Sequence, residues 1–192
     1  MARNEAETCY DLIDPVLRDK GYRIPYVRLE TPAPVEPIGP KGRRRNGPGK
    51  IDYLLCVEVP GGPKPLPVAI LEAKKESEDP LKGMQQAKGY AECERFDAKY
   101  IFSTNGHRYA KFNKFTGEQT GPFPFADFPD HPRVTDCYHR FTGIKLDDSS
   151  PDNNDLAHKH VRTPPKLRLV TISRRDHQLG SSPVWSVRRV DP

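Results

Sequence analysis

At 192 residues the chain has room for one domain with a real core and some surplus. Charged residues make up 30% and hydrophobic ones 35%, a polar balance still in the globular range, and the net charge of +5 is mildly basic. No apolar run approaches the roughly 20 residues that span a bilayer, and MARNEAETCY lacks the apolar core of a secretory signal, so the chain is expected in the cytoplasm.

Residues 4–20 read as the first helix, with Asn4 as N-cap, Glu5 and Glu7 in the first turn and Gly21 after the last. Pro15 is expected to kink or restart it after Asp14. Helical spacing groups Glu5, Cys9, Leu12, Ile13 and Val16 as a buried stripe, and Glu7, Asp11, Asp14 and Arg18 as a solvated one. A short strand is expected over 22–29. A Pro- and Arg-rich loop follows, in which Lys41, Arg43, Arg44, Arg45 and Lys50 fall close together. IDYLLCVEV (51–59) and PVAILEAK (67–74) have strand character, and Gly61-Gly62-Pro63 between them predicts an antiparallel hairpin.

A second helix is expected over 80–96, with Asp79 as N-cap and Pro80 at its first position. KYIFST (99–104) reads as a buried strand, and Asn105-Gly106 turns into a further strand, HRYAKFNKF. Beyond residue 113 the pattern weakens: GPFPFADFPDHP reads as an ordered loop and 136–141 as one helical turn. DDSSPDNND (147–155) reads as a linker. Cys9, Cys56, Cys93 and Cys137 lie far apart without a CxxC pair, which suits semi-buried thiols better than a zinc site or a disulfide framework.

The chemistry gathers at the hairpin. Asp52 opens one strand; Glu72 and Lys74 close the other after an apolar run, on one face, with Ala73 on the opposite face. Two carboxylates and an ammonium at the end of an apolar strand are costly to collect without a use. Such a set suits metal-assisted hydrolysis of a phosphodiester. Asp52, Glu72 and the Ala73 carbonyl offer oxygen ligands for Mg²⁺, with Mn²⁺ as a substitute, and Lys74 can orient a water or stabilise developing charge. Glu5 is a candidate outer ligand. The basic residues Arg43, Arg44, Arg45 and Lys50, just upstream, suit phosphate contact, although such a run also suits a plain solvated loop. Gln86 and Tyr90, four apart, share a helix face; alternatively Gln86 is a surface residue and Tyr90 core.

Glu-x-Lys followed by a Gln-x-x-x-Tyr helix resembles the PD-(D/E)xK nuclease superfamily, and specifically the N-terminal nuclease domain of the restriction (R) subunit of type I restriction enzymes. The stretches that carry the resemblance are NEAETCYDLIDPVLRDKGY (4–22), RRRNGPGKIDYLL (43–55), VAILEAK (68–74), QQAKGYA (85–91) and IFSTNGH (101–107), with FNKFTG after the last. The resemblance implies an α/β (α+β) restriction-endonuclease-like core, a central mixed sheet flanked by helices. It implies Asp52 and Glu72 as metal ligands, Lys74 as catalytic lysine, Gln86 and Tyr90 as an accessory motif and Glu5 as a helix-borne glutamate. The implied partners are double-stranded DNA and the modification and specificity subunits of a type I restriction complex, with no membrane.

Such R subunits continue into an ATP-driven motor, whereas this chain has no GxxxxGK[ST] loop and hence no expected ATP site. Residues 1–145 are therefore expected to form the nuclease-like domain of a chain truncated before the motor. Residues 146–192 are expected to be a linker and a poorly ordered, non-native tail. His107 reads as a structural turn residue, and His158-x-His160 lacks a third ligand. Two other functions stay open. The chain can be a catalytically silent DNA-binding or subunit-interaction remnant, or an unrelated nucleic-acid-binding protein in which Asp52, Glu72 and Lys74 are a structural ion pair.

Overall fold

The computed structural model describes residues 2–33, 49–60, 64–92, 96 and 98–143. Helix α1 (residues 5–19) starts at Asn4, as expected. The Asn4 side chain accepts the Glu7 amide at 2.9 Å, and the Glu7 carboxylate accepts the Asn4 amide at 2.9 Å. This reciprocal capping box satisfies amides that a helix start leaves open. The kink expected after Asp14 takes another form: a π turn, Cys9–Ile13, between α-helical Glu5–Thr8 and Asp14–Asp19. Pro15 has no N–H to donate and its ring crowds the carbonyl one turn back, and the wider turn ahead of it accommodates both. The wider turn also rotates the buried face. Thr8, Ile13 and Leu17 are buried, Cys9 and Val16 are half-buried, and Glu5 is exposed, which corrects the expected stripe at its N-terminal end.

Among the described residues six strands follow: β1 (Val27–Ala33), β2 (Gly49–Val57), β3 (Leu66–Ala73), β4 (Tyr100–Thr104), β5 (Arg108–Asn113) and β6 (Glu118–Pro124). Their spatial order is their sequence order, and all neighbours are antiparallel except β3 and β4, which run parallel. A parallel pair needs a crossover, supplied here by a 3₁₀ turn, Pro80–Gly83, and helix α2 (Met84–Ala91). Asp79 caps this element by accepting the Leu81 amide at 2.8 Å. The helix expected over 80–96 is thus tighter at its start and ends its α-helical turns at Ala91. The strand expected over 22–29 forms later, at 27–33, because a turn closed by the Tyr26 amide on the Arg23 carbonyl occupies the earlier residues.

The Asn105-Gly106 turn forms between β4 and β5. Gly106 has φ +85°, and a Cβ there would lie 2.7 Å from Leu12 Cβ, so glycine serves both the turn and the approach of α1. Beyond residue 113 the structure is more regular than expected. Residues 121–124 complete β6, whose prolines are tolerated because it lies at the edge of the sheet formed by the described residues. The single turn expected at 136–141 is instead a helix, α3 (His131–Thr142), capped by Asp130 and ended by Gly143 at φ +74°.

Helices α1 and α3 cover one face of the sheet: Ile13, Leu17, Val134 and Tyr138 pack with Leu55, Leu71, Phe102 and Phe128. Helix α2 covers the other, where Met84, Ala87 and Tyr90 pack on Leu54, Ile70 and Ile101. This is the expected α+β architecture, a mixed central sheet flanked by helices as in a restriction-endonuclease-like core. Among the described residues no helix is long and apolar enough to cross a membrane. Arg43, Arg44, Arg45, Cys93, the Gly61-Gly62-Pro63 turn and the expected tail 146–192 lie outside the described residues.

Candidate active site

Strand alternation places Asp52 and Glu72 on the α2 face of the sheet, the face to which Leu54 and Ile70 belong. Ala73 packs on the opposite side, as expected. Asp52 lies within β2 rather than at its opening, and Lys74 stands one residue past the end of β3. The Asp52 carboxylate accepts the Ala73 amide at 2.8 Å. Lys74 Nζ donates to Glu72 Oε1 at 2.6 Å and to the Ala73 carbonyl at 2.9 Å, and reaches Gln86 Oε1 at 3.5 Å. Gln86 Nε2 in turn donates to the Tyr90 hydroxyl at 3.0 Å. Asp52, Glu72, Ala73, Lys74, Gln86 and Tyr90 therefore form one connected network. The helical i, i+4 spacing brings Gln86 and Tyr90 to it together. Tyr90 meets both expectations, with its ring in the core and its hydroxyl in the network.

Burial dominates the electrostatics. Glu72 is 1% exposed, and desolvation, reinforced by the charge of Asp52, pushes its pKa up to about 8 against the pull of Lys74. Burial also raises Asp52, opposed by the Ala73 N–H and Lys74. Burial works against the Lys74 ammonium, yet Glu72, Glu5 and Asp52 together leave its pKa raised.

A hard divalent cation fits this donor set. Two carboxylates and a carbonyl converge, Glu72 Oε2 is buried without a hydrogen-bond partner, and a positive group, the Lys74 ammonium, lies on two of the three expected ligands. Among the described residues no three His, Cys, Asp or Glu side chains are grouped to hold a metal, so Glu5 does not join as a third carboxylate. It stands exposed across a cleft of about 520 Å³, which it lines with Asp52, Asp14, Glu30 and Tyr10. Lys50, two residues before Asp52, pairs with Glu30 at 3.2 Å on the surface.

Sequence reasoning missed several residues that shape the site. A Cβ on Gly83 would collide with Ser103 Oγ and lie 3.0 Å from Glu72 Cγ and 3.2 Å from Lys74 Cε. A Cβ on Gly49 would press on the Tyr90 ring at 2.5 Å. Glycine at the first residue of a strand and at the end of a 3₁₀ turn carries no local signal for this; only the neighbouring chain reveals it. Glu76 is a third such residue. It accepts the Arg3 amide at 2.8 Å and the Arg3 guanidinium at 3.1 Å, and its Oε1 lies 2.9 Å from His107 Nε2. Asn105 joins them by donating to the Glu76 and Glu78 carbonyls. The start of α1, the loop after β3 and the β4–β5 turn are thereby held together beside the site, and His107 takes a structural place there.

No protein-family model matches the chain, and no curated protein does. Among solved structures it matches a fragment assigned as the HsdR subunit of a type I restriction enzyme from Vibrio vulnificus YJ016. The identity is 32%, the TM-score is 0.59, and the match covers 76% of this chain. The chain is type I R-subunit-like. It spans 27% of the length of that protein, and its likeness includes both sequence and fold.

Proposed function

We propose that this chain is a metal-dependent endonuclease domain that hydrolyses DNA phosphodiester bonds in restriction–modification, in the manner of a PD-(D/E)xK nuclease. The observation that carries the reading is the joining of Asp52, Glu72, the Ala73 carbonyl and Lys74 in one hydrogen-bonded network, in a fold similar to an R-subunit fragment. Asp52, Glu72 and the Ala73 carbonyl would hold Mg²⁺, or Mn²⁺ in its place. When bound, the cation supplies Lewis-acid polarisation of the phosphate and acidifies a water.

The protein's own groups do the rest. Lys74 is a fixed positive charge for the oxygens of the reacting phosphate, strengthened by the low-dielectric setting beside Glu72. Gln86, anchored on Tyr90, limits where the Lys74 ammonium can go. Arg43, Arg44, Arg45 and Lys50 supply sequence-independent phosphate contact with double-stranded DNA. Modification and specificity subunits are the partners this reading implies, and the cytoplasm is its location.

Nicking of supercoiled plasmid at low salt, with Mg²⁺, Mn²⁺ or EDTA, tests the reading in the native chain and in Lys74→Ala. Metal-dependent nicking that disappears in the variant is expected. DNA binding without cleavage by either protein would replace it with a catalytically silent DNA-binding or subunit-interaction module.

A further inference from the structure

We propose that the cleft between the start of α1 and strand β1 is a nucleobase subsite, which takes one unpaired base of a single-stranded or locally opened DNA and stacks it on Tyr10. The inference rests on the reading of Asp52 as part of a phosphodiester-cleaving site, and it names the form of DNA that such a site accepts. The cleft holds about 520 Å³, within the range of roughly 300–1,000 Å³ typical of small-molecule sites. Asp52 lines it together with Ala6 and Tyr10 of α1 and Leu29 of β1. A phosphate held at Asp52 therefore leaves its adjoining nucleoside in reach of the cleft.

Three features suit a base and not a phosphate. First, Tyr10 is 74% exposed and Leu29 55%, so an aromatic ring and an apolar side chain stand open to solvent at one cleft. Tyr10 belongs to the π turn, which leaves it outside while Ile13 turns into the core. An open ring offers a face on which any base can stack. Second, Glu5 and Glu30 line the same cleft. Lys50 answers part of the Glu30 charge at the surface, but carboxylates here still repel a phosphate backbone. They accept instead from base amino groups, as carboxylates do from the cytosine amine. Third, the backbone is irregular where the cleft meets Asp52. Leu29 pairs with Tyr53 and Thr31 with Ile51, yet the rung between them, Glu30 opposite Asp52, is missing from the ladder. Glu30 has φ +44° there, a costly conformation for a residue with a side chain and one that recurs where ligands bind.

The test compares two short labelled oligomers on the full chain by fluorescence anisotropy at low salt, in EDTA and again with Ca²⁺. One is an oligodeoxycytidylate; the other is abasic, with the same length and phosphate count, so that backbone electrostatics cancel. The native chain is expected to favour the oligomer with bases by about tenfold, the worth of one stacked base. Tyr10→Ala, a change at an exposed side chain, is expected to remove most of that preference. Ala6→Met, which fills the cleft from α1 without adding charge, should do the same, whereas Tyr10→Phe keeps the ring and the preference. Equal or absent binding of the two oligomers by the native chain would overturn the proposal, as would an undiminished preference in Tyr10→Ala. Plasmid nicking by the native chain separates the two readings. Nicking without a base preference refutes the subsite alone, and a Tyr10-dependent preference without nicking refutes the nuclease alone.

Discussion

Glu72 and Lys74 form a 2.6 Å ion pair whose side chains are only 2% and 13% exposed. A pair so shielded from water is worth little against an apolar substitute of the same shape, yet losing one partner strands a buried charge. Lys74→Met is therefore expected to cost about 3–5 kcal/mol of stability in urea titrations, and Glu72→Leu with Lys74→Met to recover most of it. Neither protein should cleave DNA. A double variant as unstable as the single one would mean that the pair contributes to stability in its own right.

Gly83 sits against Ser103, Glu72 and Lys74 with no space for a methyl group. Gly83→Ala is expected to cost roughly 1–3 kcal/mol from overpacking. It should reduce metal-dependent nicking by far more than the drop in stability explains, because the atoms that must move are those of the site. Melts and plasmid nicking on the same preparation check this.

The Glu76 carboxylate is held by the Arg3 amide first, then by His107 and the Arg3 guanidinium, and its pKa falls from 4.5 to about 2. A depressed carboxylate stabilises the fold fully above its unfolded pKa and loses that contribution as pH falls through the folded one. The Tm difference between the native chain and Glu76→Gln should thus be constant from neutral pH down to about 5. It should shrink below that and disappear near pH 2. Paired thermal melts across this range test it; a difference that persists at the acid end would remove the charge from the explanation.

The basic residues Arg43, Arg44 and Arg45 are expected to act through counterion release. Changing all three to alanine should weaken binding to every duplex sequence alike and lower the salt slope by about 0.9 for each phosphate no longer neutralised. Fluorescence anisotropy at several salt concentrations checks both. An unchanged slope would assign the run to plain surface.

Much of the frame was legible from local signals. The Asn4 cap, the β2–β3 hairpin, the β4 strand and the Asn105-Gly106 turn all rest on residues close in sequence, and they form as expected. Residues 118–124 and 131–142 were not legible as a strand and a helix. The prolines of β6 erase its alternation, and they are tolerated because β6 lies at the edge of the sheet that the described residues form. In α3 the described residues that pack on the core are Val134 and Tyr138, with Cys137 half-buried beside them, a pattern that gains meaning only when Tyr22 and Phe128 are there to meet it.

The sequence alone determined which residues could meet at a site, because strand alternation and helical spacing assign Asp52 and Glu72, or Gln86 and Tyr90, to common faces. Tertiary structure decided how they meet. It rotated Glu5 out of the core through a π turn and set the Lys74 ammonium on Glu72 and the Ala73 carbonyl. It also made Gly83 and Ser103 neighbours of Glu72, and Glu76 the tie between α1 and the β4–β5 turn. The reason is range: backbone geometry repeats over a few residues and is written locally. Contacts between positions 3 and 76, or 83 and 103, exist only after the whole sheet has closed.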